Sequence, residues 1–145
     1  MRRRWFMLIA ATSIGLAAQP VETQAQTTQD TTRLPAAMRA VRAQFNMAMT
    51  GLKAAGATAF FSDSVVAEFQ GQVFSGRPAV EAWLTGVFAG VTSLRFINFR
   101  FTISENEIIE SVEYAAGTPD GEQPGSTETT WRLINGAWKV VRLKA

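Results

Sequence analysis

Apolar residues in the first half of the chain recur at helical spacing. They follow one another at steps of three or four and so share one helix face: Leu34, Met38, Val41, Phe45, Met49 and Leu52. Pro35 suits the first turn of this helix, and Gly56 suits its end. The pattern predicts a short second helix at 57–61 and a third from Pro78 to Gly90, with apolar residues again three or four apart.

The second half of the chain alternates between apolar and polar residues, as strands do. A short strand is expected at 65–69, and four more are expected at 97–103, 107–116, 126–134 and 137–144. One face of the strand at 97–103 should carry Ile97, Phe99, Phe101 and Ile103. Residues 117–125, rich in Gly and Pro, are expected to form a loop, and Asn135–Gly136 is a strong hairpin signal. This order predicts an α+β domain, with three N-terminal helices packed on a curved, mostly antiparallel sheet.

The N-terminal segment has the pattern of an export signal. Three arginines at 2–4 precede a 14-residue apolar run from Trp5 to Ala18. This run is shorter than the ~20 residues that span a membrane. We therefore expect residues 1–25 to be a signal peptide, cleaved after Ala25 or near Ala17–Ala18, with no membrane span left after cleavage.

The arginines also resemble a twin-arginine signal, but Arg2 stands where such signals usually have Ser or Thr. Ordinary Sec export to the periplasm or the medium is therefore favoured. Residues 26–33 are polar and without an apolar period, so they are expected to form a flexible leader before a single domain at 34–145.

Composition narrows the possible chemistry. The chain has no cysteine and no histidine, which excludes thiol nucleophiles, a Ser-His-Asp triad and the usual zinc ligands. No metal and no cofactor are expected. Cleavage after Ala25 would leave 11 basic and 11 acidic residues, and a neutral domain has no charge excess to drive nucleic-acid binding.

Several segments, taken in order, resemble the SnoaL-like branch of the nuclear transport factor 2-like superfamily. They are FSDSVVAEF at 61–69, SGRPAV at 75–80 and TWRLINGAWKVV at 130–141. The resemblance covers about 34–143. It implies a cone-shaped domain with a pocket between helices and sheet, and often a homodimer. It does not imply one function, because the superfamily includes both enzymes and binding proteins.

Ketosteroid isomerase is an enzyme of this superfamily, and its polar catalytic residues are not present at the matching positions of this sequence. That enzyme uses a carboxylate base with a tyrosine and a protonated acid as oxyanion donors. In this sequence the tyrosine falls at Phe45, the base at Phe69 and the acid at Thr129. Phe45 and Phe69 cannot transfer a proton, so this chemistry is disfavoured. All three are expected to line an apolar pocket, together with Trp83, Tyr114 and Trp131.

Glu110 and Tyr114 are the weak candidates for catalysis. Glu110 shares a strand face with Ile108, Val112 and Tyr114, and burial on that face would raise its pKa. The alternative is a surface ion pair with Arg100 or Arg132.

The sequence favours an exported protein that binds a small apolar or amphipathic molecule in its cone. The alternatives are a cofactor-independent isomerase, lyase or hydrolase using a pocket carboxylate and Tyr, and a dimerising interaction module. A large aromatic-lined cavity would favour a binding protein. Two polar groups converging in the cavity would favour an enzyme. A cone filled by its own core would favour an interaction module.

Overall fold

The computed structural model describes residues 26–145, so the predicted signal peptide at 1–25 lies outside the described residues. The helices of the described part are Ala36–Thr50 (α1), Ala54–Thr58 (α2) and Arg77–Ala89 (α3). Its strands are Gln26–Thr28 (β1), Phe61–Phe69 (β2), Gln72–Ser75 (β3), Ser93–Ile103 (β4), Glu107–Thr118 (β5), Gly121–Ile134 (β6) and Ala137–Lys144 (β7).

The boundaries of the first two helices differ from the expectation. α1 ends at Thr50 and not at Gly56, because Gly51 follows it and Leu52 adopts a left-handed φ of 57°. A Cβ at Gly51 would lie 2.9 Å from the carbonyl oxygen of Met47, so the close approach there favours glycine. α2 therefore begins earlier than predicted and contains Gly56. α3 is confirmed, with Pro78 in its first turn and Gly90 after its last residue.

The strands form one sheet in the order β1-β4-β5-β6-β7-β2-β3. β2 pairs with β7 in parallel, and the other pairs are antiparallel, which confirms the mostly antiparallel sheet. The expectation of a flexible leader at 26–33 is wrong for this structure. β1 pairs with residues 101–103 of β4, and Asp30 accepts a hydrogen bond from the Thr32 amide at 2.9 Å, in the turn that leads to α1.

Two further features of the strands differ from the expectation. Residues 117–125 are not a loop, since β5 runs to Thr118 and β6 begins at Gly121. β3 was not predicted, and it forms a hairpin with β2 through Gln70 and Gly71, both at positive φ. The hairpin at Asn135–Gly136 is confirmed, with φ values of 49° and 79°.

A bulge in β4 changes the face of one predicted residue. The pairing of β4 with β5 shifts register between Phe96 and Asn98. Ile97 consequently does not share the inner face with Phe99 and Phe101, and it is 54% exposed. Phe96 lines the interior cavity in its place.

Two cross-strand rows order the inner face of the sheet. We define the deep row as Phe61, Val140, Trp131 and Ile108, which are paired neighbours on β2, β7, β6 and β5, all fully buried. The next row, defined as the floor row, contains Leu143, Thr129, Glu110 and Phe101. The helices cover this face with buried side chains that include Met38, Phe45, Val80, Leu84 and Phe88.

Candidate functional site

A cavity of about 120 Å³ lies between α1, α3 and the inner face of the sheet. The side chains of its wall are mostly apolar and come from both helices and from strands β2 and β4–β7. The polar residues among them are Asn46, Glu110, Tyr114, Thr127, Thr129 and Lys144. The cone is therefore not completely filled by its own core.

The structure places five of the six predicted pocket residues in the wall of this cavity: Phe45, Phe69, Trp83, Tyr114 and Thr129. The placement of Trp131 in the wall is wrong. Trp131 belongs to the deep row, one row below Thr129, and its ring packs edge-on against Phe45 with the ring centres 5.2 Å apart. That the five wall residues bind a ligand stays a prediction.

An aromatic cluster forms the wall on the side of α3. The ring of Trp83 lies 5.9 Å from that of Phe69 and 5.7 Å from that of Phe74, measured between ring centres. Phe69 ends β2 and Phe74 lies in β3, so the β2–β3 hairpin that the sequence did not predict holds Trp83 in place.

Glu110 is buried at the floor of the cavity, with 2% of its side chain exposed. Both of its carboxylate oxygens accept hydrogen bonds from Nε of Arg42, at 3.0 and 2.8 Å. The alternative of a surface pair is therefore wrong for Glu110. Arg132 pairs instead with Glu107 at 2.9 Å, and Arg100 is exposed.

Arg42 is the partner that the sequence reasoning missed. It stands four residues after Met38 and three before Phe45, so it shares the buried face of α1, and only 11% of its side chain is exposed. Its guanidinium carbon lies 4.4 Å from the ring centre of Phe99 and 4.8 Å from that of Phe101. The cation that neutralises Glu110 therefore also contacts two aromatic rings.

Burial raises the pKa of Glu110 above its ordinary value, and the charge and hydrogen bonds of Arg42 oppose this effect without cancelling it. A carboxyl group in this position can accept a hydrogen bond from a molecule in the cavity, and a raised pKa also favours proton exchange.

Tyr114 lies far from Glu110. Both residues face the cavity, but they are four positions apart on β5, which corresponds to about 13 Å along an extended strand. The Tyr114 ring packs against Gly125, where a Cβ would lie 2.3 Å from its Cζ. Thr129, in contrast, is the direct cross-strand neighbour of Glu110, and such neighbours have Cβ atoms about 5 Å apart. The polar group beside Glu110 is therefore Thr129.

Solved structures show which fold this is. An NTF2-like protein of unknown function from Pseudomonas putida superposes with a TM-score of 0.63 at 16% identity, covering 74% of this chain and 81% of that one. A candidate dehydratase of the NTF2-like family from Streptomyces avermitilis gives a TM-score of 0.61 at 14% identity, with 74% and 91% covered. A candidate scytalone dehydratase from Novosphingobium aromaticivorans gives 0.58 at 16% identity, with 74% and 79% covered.

The chain therefore has the nuclear transport factor 2-like fold that the sequence resemblance implied. At these identities the likeness concerns the fold alone. The sequence matches no family model, and no curated protein matches it.

Two kinds of feature are absent from residues 26–145. No helix there is long and apolar enough to cross a membrane. The same residues contain no group of three or more Asp and Glu placed to hold a metal ion.

Proposed function

We propose that this protein binds a small apolar or amphipathic molecule in its cone, as a SnoaL-like member of this fold. The observation that supports the proposal is an apolar cavity of about 120 Å³ with a buried carboxylate at its floor. Aromatic and aliphatic walls with a few polar groups are the usual composition of small-molecule sites.

The size of the cavity limits the ligand. An apolar cavity of ~150 Å³ binds benzene, so the volume here suits a single ring. Larger ligands would require the wall to move. A one-ring probe is therefore the right first test.

Toluene should stabilise the full chain against thermal unfolding. At 100 times its Kd, a ligand that binds only the folded state adds ~2.7 kcal/mol to the free energy of unfolding. The melting temperature would be measured at increasing toluene concentration and should rise progressively. A melting temperature unchanged up to the solubility limit of toluene would contradict the proposal.

A matched pair of variants locates the binding. Ala116 is buried in the cavity wall, whereas Ala40 is exposed on α1. Ala116→Leu should fill the cavity and remove the toluene-induced shift, and Ala40→Leu should keep it. Comparing the shifts rather than the melting temperatures corrects for the ~1–3 kcal/mol that overpacking costs.

An acid–base enzyme is the second candidate, and the observation that favours it is the raised pKa of the buried Glu110. Two of the similar structures are named as dehydratases, so a lyase reaction is the first to test. Glu110→Gln should abolish any turnover but leave toluene binding intact. The distance to Tyr114 argues against the two residues acting together.

We also propose that the protein acts after export, in the periplasm or the medium, on the strength of the basic and apolar segment at 2–18. Mass spectrometry of the protein recovered from cells should find an N-terminus near Gln26 or near Gln19. Recovery of an intact N-terminus at Met1 or Arg2 would contradict export by cleavage. The homodimer implied by the resemblance stays a prediction.

A further inference from the structure

We infer that the cavity selects neutral molecules that carry one hydroxyl group, such as a phenol or a small cyclic alcohol, and that Glu110 and Thr129 together bind that hydroxyl. This inference rests on the proposed binding function and names its ligand class.

The two side chains form one polar patch on an otherwise apolar floor. Glu110 and Thr129 are paired neighbours on β5 and β6, both line the cavity, and they are 2% and 4% exposed. Their neighbours in the floor row are Phe101 and Leu143. A ligand that reaches the floor must therefore place its polar atom at this patch or leave buried polar groups without a ligand partner.

The hydrogen-bonding capacity of the patch matches a hydroxyl. A carboxylate has about four lone-pair sites, and the single N–H of Arg42 Nε is shared between the two oxygens. Glu110 can therefore accept a further hydrogen bond. The Thr129 hydroxyl can donate one, and a ligand hydroxyl both donates and accepts.

The charge of the site selects against ions. Arg42 already compensates Glu110, so an ammonium group at the floor would add an unpaired positive charge near the guanidinium. An anion would face the Glu110 carboxylate. Lys144, the other charged residue of the wall, is exposed. Burying an ion without a partner is costly, and a neutral ligand avoids this penalty.

Three probes of similar size test the inference on the full chain by calorimetric titration at pH 7. They are phenol, toluene, which lacks the hydroxyl, and benzylamine, which carries a positive charge. We expect phenol to bind at least tenfold more tightly than toluene, and benzylamine to bind more weakly than both. A site that hydrogen-bonds a polar group discriminates strongly against ligands that lack this group. An apolar pocket discriminates less strongly against a ligand with an extra methyl group.

Variants of two threonines on the same strand provide the control. Thr129→Val should remove the preference for phenol and keep the affinity for toluene within about twofold, because valine has the shape of threonine. Thr127→Val, one row nearer the opening on the same strand face, should keep the preference. Thr129→Ser retains the hydroxyl and should also keep it. If Thr129→Val does not fold, Glu110→Gln tests the same polar patch in its place.

The outcomes separate the two proposals. If toluene binds as tightly as phenol, or benzylamine binds most tightly, the hydroxyl inference is wrong and the binding function stands. An equal loss of preference in Thr127→Val and Thr129→Val would likewise overturn the role of Thr129. If none of the three probes binds, the proposed function itself is wrong.

Discussion

Arg42→Ala is expected to lower the free energy of unfolding by about 3–5 kcal/mol at pH 7, which is the usual effect of removing one partner from a buried ion pair. Glu110 would keep its burial and lose the only cation that contacts its carboxylate within residues 26–145. The guanidinium would also be lost from the faces of Phe99 and Phe101. Urea denaturation followed by circular dichroism measures the change.

The destabilisation should depend on pH. Burial already raises the pKa of Glu110 above its ordinary value of 4.5, and removing Arg42 should raise it further. The folded variant then binds a proton more readily than the unfolded chain. The contribution of Glu110 to stability is therefore greatest below pH 4.5 and is lost as the pH rises through the raised pKa of the folded state. Most of the difference from the wild type should disappear near pH 4.

Two controls test the cause. Arg95→Ala removes the exposed pair with Glu122, whose arginine side chain is 62% exposed, and should change stability far less. The double variant Arg42→Met/Glu110→Leu leaves no charge at the site and should recover much of the loss. An Arg42→Ala protein that unfolds at the wild-type urea concentration would show that the pair does not stabilise the fold.

Trp131→Ala is expected to lower the free energy of unfolding by about 3–5 kcal/mol, as truncations of large buried aromatic residues do. Trp131 is fully buried in the deep row, between Ile108 and Val140, and packs edge-on against Phe45. Its removal would leave a void between Ile108, Val140 and Phe45. Urea denaturation at pH 7 provides the measurement.

The role of Trp131 is separable from ligand binding. Trp131→Phe should lose much less stability, because the ring is retained and the buried indole Nε1 has no hydrogen-bond partner within residues 26–145. Trp83→Ala, at a half-buried position of the cavity wall, is the matched control. It should reduce the free energy of toluene binding by more than it reduces the free energy of unfolding. A small effect of Trp131→Ala on stability would contradict the assignment of Trp131 to the core.

Periodicity predicted the elements wherever one face is buried. The third helix and the Asn135–Gly136 hairpin follow directly from their patterns. The predicted loop at 117–125 failed because Pro and Gly were interpreted as turn residues. Pro124 is tolerated in β6 because the ladder with β7 ends at Glu128, so this part of β6 pairs with β5 alone.

The candidate site was predicted in position but not in its electrostatics. The face that Glu110 shares with Val112 and Tyr114 lines the cavity, so of the two alternatives left open for Glu110 the buried one holds and the surface ion pair is wrong. The apolar stripe that predicted α1 did not include Arg42, although its spacing from Met38 and Phe45 puts it on the buried face. Pairing across 68 positions depends on how α1 crosses the sheet, which one sequence does not specify.

The strand order also bears on solubility. The two outermost strands, β1 and β3, have three and four residues, whereas β4, next to β1, has eleven. Within residues 26–145, the outer edge of β4 is paired only at Phe101–Ile103, and its remaining eight residues have no strand partner on that side. β1 thus shortens the exposed edge to which a second chain could add a strand. Cleavage after Ala25 would retain β1, whereas trimming beyond Thr28 would leave all eleven residues of β4 without an outer partner and favour strand addition by a second chain.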